Sequence, residues 1–337
     1  MRVREFPEYV NLEVTNDCNL KCLMCLWHGP DSDHKRPIGY MREGLWMRVI
    51  DELALAKDEI ILIASGAGEP LMHPEYLRIL DYAKNKGNEK LRIRFVTNGL
   101  LLDDATSRTI LELGLDEMVV SLDGFDRDSY NRIRRCGDYD RVSRNIDKLL
   151  RLKSELGYKK PNIGINVVAL PEAVNNRKRI FGDWIDRVDH IKFCDYTLPD
   201  NKVLGVERKS QKRRPCHLLY QNMGISWEGW AGCCHDFRGL MPLGNVNQDS
   251  IREIWSGKDY PNVRRLHEAG RFDELPACRD CSKWMSGRLD YRVDLKNRLK
   301  VVRSPADSTT YKRLRIGDIL SPRIFSRAGR VIGTLGR

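Results

Sequence analysis

Long apolar runs are missing from this 337-residue chain. A membrane-spanning helix needs about twenty consecutive apolar residues, and no segment comes near that. The N-terminus, Met1 to Pro7, lacks the apolar core of a signal peptide. No internal repeat, low-complexity block or known RNA-binding module is present, so nucleic acid is not an expected partner. Only 17 residues precede Cys18, which leaves no room for an N-terminal peptide-recognition domain. Ten cysteines without an export signal point to a reducing compartment and to metal ligation in place of disulfides. The expected location is therefore cytoplasmic.

The net charge of +11 is unevenly spread. Residues 288–337 hold 13 Lys/Arg against 4 Asp/Glu, so nine of the eleven positive charges lie in this stretch and the rest of the chain is nearly neutral. Within it, Ile324, Ala328, Val331, Ile332 and Leu335 recur at helical spacing with Arg323, Arg327 and Arg330 between them. Such a basic amphipathic helix would lie on the inner face of an anionic membrane, bringing the protein to a lipid-linked or polyanionic substrate. The alternatives are a helix packed on the body of the protein or a partly disordered basic end, and Gly329, Gly333 and Gly336 weaken any helix.

Strand-like and helix-like segments alternate from the start. Strands are expected at 9–15, 59–66, 91–98, 117–123, 162–169 and 190–196. Helices are expected over 42–55, from about 74, and over 103–113, 140–156 and 177–187. Six such units imply an α/β fold with a parallel sheet and outer helices, an open (β/α)6 partial barrel over residues 1–199. Functional groups then belong on the loops at the C-terminal edge of the strands. Residues 200–215 read as a basic linker, residues 216–287 as a small Cys-rich module and residues 288–337 as a tail.

Three thiols stand at C-x3-C-x2-C spacing in the loop after the first strand: Cys18, Cys22 and Cys25. They can bind three irons of a [4Fe–4S] cube and leave the fourth open to a small molecule, whereas clusters that only carry electrons are normally closed by a fourth Cys. A zinc site completed by His28 is the alternative. Gly66-Ala-Gly-Glu-Pro70 follows the second strand, Thr97-Asn-Gly99 the third and Ser121-Leu-Asp-Gly124 the fourth. Glycines let backbone approach a ligand closely, and Glu69 offers an anion to a cation. Either Ser121 or Arg134 has a plain structural alternative, as a turn residue or a surface ion pair. Together these motifs resemble the radical S-adenosylmethionine (SAM) superfamily, with Ala67 a departure from its G-G-E-P pattern. The resemblance implies that the open iron chelates the amino and carboxylate groups of SAM. It implies that Gly66, Gly68, Glu69 and Pro70 hold the SAM ammonium, and that Asn98, Ser121, Asp123, Arg134 and Asn166 form further cofactor contacts. Ser121 and Arg134 would meet the SAM carboxylate, a role that suits a planar guanidinium.

A second Cys set follows. Cys216, Gly229 and Cys234 fit C-x12-G-x4-C, and Cys278 and Cys281 form a C-x2-C pair. With Leu243 to Val246 and Ile251 to Trp255, this stretch resembles the SPASM/twitch auxiliary-cluster domains. A full SPASM domain carries seven Cys, and none follows Cys281. The four-ligand twitch form is the better match. It implies one auxiliary [4Fe–4S] cluster on Cys216, Cys234, Cys278 and Cys281 in an electron-transfer role, with structural zinc as the alternative.

The pattern is similar to the 2-deoxy-scyllo-inosamine dehydrogenase family and related aminocyclitol or sugar epimerases. The implied activity is cleavage of SAM by an electron from a flavodoxin- or ferredoxin-type donor, then hydrogen abstraction from a substrate C–H. The expected substrate is a sugar or cyclitol alcohol, oxidised or epimerised. Peptide or protein modification is the second reading, and a non-catalytic iron–sulfur or zinc scaffold with a basic arm is the third. An epimerase needs a hydrogen donor for the carbon radical, and the leftover thiols Cys136, Cys194 and Cys233 are the candidates, each equally readable as a small buried hydrophobe.

Overall fold

The computed structural model describes residues 3–30, 32, 36–198, 213–234, 239, 241–287, 290–294, 299–304, 308–314 and 330–332. Its first part alternates β1 (Tyr9–Leu12), α1 (Glu43–Ala54), β2 (Ile60–Ile63), α2 (Tyr76–Lys86), β3 (Leu91–Thr97), α3 (Asp104–Leu113) and β4 (Glu117–Ser121). Two helices follow, α4 (Arg127–Ile133) and α5 (Tyr139–Glu155), then β5 (Asn162–Val168), α6 (Pro171–Asn175), α7 (Arg177–Trp184) and β6 (His190–Cys194). Helix starts are set by capping side chains: Asp103 accepts from the N–H of Thr106, and Asp126 and Ser129 form a reciprocal capping box. Gly114 ends α3 in the left-handed region at φ 59°, where glycine carries no Cβ penalty.

β1 to β6 lie side by side in chain order and pair parallel throughout. Side chains alternate across this sheet. Val10, Leu12, Leu62, Phe95, Val120, Ile165, Ile191 and Phe193 are fully buried in one continuous core with the helices. The opposite face, away from the helices, carries Arg94, Glu117, Ser121, Asn166, His190 and Lys192, all half-buried, interspersed with Ile61, Ile63, Val96, Val119 and Val168. This mixed face is the inner wall of the partial barrel.

Both sheet edges are extended. At the β1 edge, β7 (Asn222–Ile225) pairs parallel with β1, and β8 (Trp230–Cys233) and β9 (Pro242–Asn245) continue antiparallel. α8 (Ile251–Ser256), α9 (Asp259–Glu268) and α10 (Pro276–Arg279) complete this Cys-rich part. Glu52 of α1 accepts from the N–H groups of Ile251 and Arg252, an acidic side chain at the N-terminal end of α8. At the β6 edge, β12 (Ser308–Arg313) pairs antiparallel with β6, followed by β11 (Leu299–Ser304), β10 (Asp290–Asp294) and β13 (Arg330–Ile332).

This last group corrects the reading of the basic stretch. Residues 290–294, 299–304 and 308–313 are strands that close the edge of β6. Where the expected amphipathic helix is described, at Arg330–Ile332, the chain is a strand paired parallel with β10. Pairing with an open sheet edge satisfies backbone groups that an isolated glycine-containing helix would leave poorly supported. Residues 315–329 and 333–337, which carry the rest of that helix, lie outside the described residues, as does 199–212 of the linker. Among the described residues no helix is long and apolar enough to cross a membrane.

Arg36 ties the two halves together. It pairs in bidentate fashion with the fully buried Glu13, at 3.0 and 2.8 Å, and reaches Glu228 of the β7–β8 connection at 3.2 Å. Burial raises the Glu13 pKa, and Arg36 offsets this only in part. A raised carboxylate binds its proton more tightly folded than unfolded, so its contribution to stability falls as pH rises above the unfolded value. Arg36→Met strands an unpaired buried carboxylate and is expected to cost about 3–5 kcal/mol at pH 8. The loss should shrink toward pH 5 in denaturation curves; an equal loss at both pH values would contradict this role.

Candidate functional site

The loop after β1 carries the first Cys set. Its backbone is fastened to the end of α4, since the N–H of Lys21 donates to Arg135 O and that of Leu23 to Ile133 O. Cys18, Cys22 and Cys25 lie within electrostatic reach of one another. Burial pushes the Cys18 thiol up to about 12, with the Glu69 carboxylate adding to the rise, and pushes Cys22 up to about 11. The N–H groups of Trp27 and His28 point at Cys25 Sγ at 3.4 and 3.3 Å, the kind of donor that supports a metal-bound thiolate. The Nε2 of His28 is buried without a hydrogen-bond partner, and burial lowers its pKa. Among the described residues no three Cys, His, Asp or Glu side chains are placed to hold a single metal ion. A multi-iron cube asks for thiols spaced wider than one ion does.

The loop after β2 packs directly on this Cys loop. A Cβ on Gly66 would lie 2.4 Å from Glu13 Cβ, and one on Gly68 only 2.3 Å from Asp17 O, so no other residue fits without moving backbone. Glu69 is buried, and its carboxylate accepts from the N–H of Asn98 at 2.6 Å, Thr97 Oγ1 at 2.7 Å and the N–H of Leu71 at 3.3 Å. Its own N–H donates to Asp17 O at 2.7 Å. Burial still raises the Glu69 pKa against these donors and the positive charge of Arg134. The Glu69 carboxylate, expected from the sequence to meet a ligand cation, is held in place by the end of β3 and by its own loop. Pro70 opens the short helical turn that follows. Asn98 donates to Asn19 Oδ1 at 2.7 Å, bringing the β3 loop to the Cys loop.

After β4, Asp123 and Arg134 form a buried pair, with Arg134 Nε and Nη2 donating to Oδ2 at 2.9 and 2.6 Å. Oδ1 accepts from the N–H of Val168 at 2.6 Å. Burial alone would lower the Arg134 pKa, but Asp123 and the Cys22 thiol reverse that and hold it up. Arg134 is thus tied to Asp123 beside Cys22, and a ligand carboxylate would meet the part of its fork left over. Ser121 ends β4 on the inner wall directly opposite Asn166, and its hydroxyl makes no hydrogen bond among the described residues. Asn166 Oδ1 accepts from Cys194 Sγ at 2.8 Å.

The second Cys set gathers beside β7 and β8. Cys216 and Cys234 are hydrogen-bonded to each other, and this bond, then burial, raises Cys216 well above the usual thiol range. The bond from Cys216 favours a Cys234 thiolate, but Cys233, burial and Cys281 outweigh it, and Cys234 is raised as well. Burial raises Cys281, whose N–H donates to Cys278 O at 3.1 Å one turn away. Cys233 is buried within β8, whereas Cys234 just beyond it adopts a left-handed φ of 56°. The two neighbouring thiols remain hydrogen-bonded to each other, so both stand at the second Cys set. Of the hydrogen-donor candidates, Cys136 is exposed at φ 66°, Cys233 is buried beside Cys234, and Cys194 stands on the inner wall.

Two family models match the chain: the radical SAM superfamily over residues 12–175, and an iron-sulfur cluster-binding SPASM domain over residues 216–282. The chain is a radical SAM protein with a C-terminal SPASM/twitch-type domain. A "tungsten-containing aldehyde ferredoxin oxidoreductase cofactor-modifying protein" of Pyrococcus furiosus is 24% identical over 82% of this chain and 87% of its own. A "probable GTP 3′,8-cyclase" of Methanocaldococcus jannaschii is 28% identical over 48% of this chain, which spans about half (52%) of that relative's length. Among solved structures, BtrN in complex with AdoMet and 2-DOIA superposes with a TM-score of 0.57 at 16% identity, over 82% of this chain and 92% of that one. Native anSMEcpe with bound AdoMet gives 0.62 at 16% identity, over 83% and 92%. The fold is therefore the radical SAM partial barrel with an auxiliary domain. Its cofactors are SAM, a SAM-binding [4Fe–4S] cluster and an auxiliary iron–sulfur centre.

The sequence motifs include Thr97 but not Asn19. Thr97 and Asn19 act through hydrogen bonds to Glu69 and Asn98 that cross between loops. Cys234→Ala is expected to remove about four irons per chain and Cys233→Ala none. The opposite pattern in an iron and sulfide assay would exchange the two ligands.

Proposed function

We propose that this protein is a radical SAM enzyme that abstracts hydrogen from a C–H of a sugar or cyclitol alcohol and oxidises or epimerises that carbon. Cys18, Cys22 and Cys25 would hold the SAM cluster, and Cys216, Cys234, Cys278 and Cys281 the auxiliary one. When bound, SAM and its cluster supply a 5′-deoxyadenosyl radical, given an electron from a flavodoxin- or ferredoxin-type donor. The chain's own part is to orient, to bind and to exclude water. The loops fastened by Glu69 and the Asp123–Arg134 pair fix the cofactor's surroundings. The inner wall offers hydroxyl, amide and thiol groups for a hydroxylated substrate.

The observation that carries the reading is this wall. Ser121, Asn166, Lys192 and Thr310 occupy one rung across four adjacent strands, with Cys194 beside them. The hydrogen-bonding groups of this rung, set on a wall that also carries apolar residues, suit a polyol. The likeness to BtrN, whose structure holds 2-DOIA, points the same way. The likeness to anSMEcpe, solved with a bound peptide, favours peptide modification as the second reading.

Cys194 favours epimerisation within the first reading. Its S–H can pass a hydrogen atom to the substrate radical from the wall side. Cys194 is then left one hydrogen atom short, to be restored by an electron from the donor and a proton from solvent. Turnover of sugars, cyclitols and a peptide in deuterated water tests this. The expected product is a sugar or cyclitol with one solvent deuterium at carbon, and Cys194→Ala should abolish that incorporation. A ketone product would mean oxidation, and a modified peptide with untouched sugars would overturn the proposal.

A further inference from the structure

Cys216, the first cysteine of the second set, is held by α9. Its N–H donates to His267 Nδ1 at 3.3 Å. A ring nitrogen that accepts carries no proton, so this bond places the imidazole proton on Nε2. His267 is only 1% exposed, and its Nε2 has no hydrogen-bond partner. A buried histidine with one nitrogen unsatisfied is costly. The hydrogen bond it does make is to the backbone of a cysteine of the auxiliary set.

Two neighbours on the same side of α9 act on the same segment, since Arg264 precedes His267 by three residues and Glu268 by four. Arg264 Nε donates to Leu219 O at 2.9 Å, and its Nη1 donates to Trp255 O at 3.0 Å. Glu268 Oε1 accepts from the Tyr220 hydroxyl at 2.5 Å. The three side chains grip Cys216, Leu219 and Tyr220, and His217–Tyr220 is a single short helical turn. That turn brings the N–H groups of Leu218 and Leu219 to Cys216 Sγ, where both favour the thiolate. Donors to a cluster sulfur stabilise the more negative, reduced cluster and so raise its reduction potential.

We infer that His267 is a positioning residue for the auxiliary cluster. By accepting the Cys216 N–H it fixes the 216–220 turn, keeps the Leu218 and Leu219 N–H groups on the Cys216 sulfur, and holds the cluster's reduction potential up. The inference rests on the assignment of Cys216, Cys234, Cys278 and Cys281 to one auxiliary [4Fe–4S] cluster. It adds a residue that carries no sulfur and lies outside every cysteine motif, yet sets how readily that cluster accepts an electron.

The test is an EPR-monitored redox titration of the cluster-loaded protein, run with and without SAM so that the signal responding to SAM marks the first cluster. His267→Phe removes the acceptor. At a fixed ambient potential the reduced-to-oxidised ratio of its auxiliary cluster is expected to fall about tenfold, a drop of about 59 mV for one electron. His267→Asn, whose Oδ1 takes the place of Nδ1, should restore the parent potential. His267→Gln carries its amide one carbon further out and should not, so the Asn and Gln variants decide the matter even where His267→Phe fails to load iron. The potential of the first cluster should be the same in all four proteins. No fall in His267→Phe, equal potentials in the Asn and Gln variants, or a matching shift of the first cluster would overturn the inference. A parent that binds about four irons would remove the auxiliary cluster and the inference with it. About eight irons with an unmoved potential in His267→Phe would remove the inference alone.

Discussion

Glu69 accepts three hydrogen bonds from the chain that follows β2 and β3, and its own N–H holds the Cys loop after β1. A buried carboxylate is costly unless donors surround it. Here each donor belongs to a loop that must be in place for the cysteines to face the cofactor position. Hydrogen bonds to a charged group are worth about 1.5–3 kcal/mol each, so the three outweigh the flexibility of the segments they order. Gly66 and Gly68 make the arrangement possible by letting the β2 loop touch the backbone of residues 13–17. The remaining site contacts are built around this grip.

A second buried charge does the equivalent work on the other side. Asp123 holds Arg134 with one oxygen and the N–H of Val168 with the other, joining the β4 loop to the end of β5. Arg134 in turn stands beside Cys22, where its positive charge favours the thiolate. The two networks meet at the Cys loop, where Glu69 after β2 acts on Cys18 and the Asp123–Arg134 pair after β4 acts on Cys22. The parallel register of β1 to β6 makes this economical, because it brings all those ends to one edge.

Much of this was legible in the sequence. The cysteine spacings, the Gly66–Pro70 stretch and the alternation of elements fix the fold class, and six of the parallel strands fall where hydrophobic periodicity puts them. What escaped notice depended on partners far away in the chain. α4 is a seven-residue helix begun by Asp126 and Ser129, a capping signal embedded in a polar stretch. The strands at 290–313 do alternate apolar with charged residues, as at Tyr291, Val293, Leu299, Val301 and Tyr311, but their basic residues invite a tail reading. Only the exposed edge of β6 turns that alternation into strands. The sequence shows the Glu69 carboxylate but not the donors that hold it, because those depend on how β2 and β3 pair. Cys194 could not be separated from Cys136 and Cys233 until register placed it on the inner wall.

The central claim is that two cysteine sets hold two clusters, the first of which cleaves SAM. Iron and acid-labile sulfide per chain after anaerobic reconstitution, with dithionite and SAM added and 5′-deoxyadenosine assayed in the same sample, test it most directly. About eight irons with 5′-deoxyadenosine formed is the predicted result. About four irons, or full iron with no 5′-deoxyadenosine in the presence of any sugar, cyclitol or peptide, would contradict it.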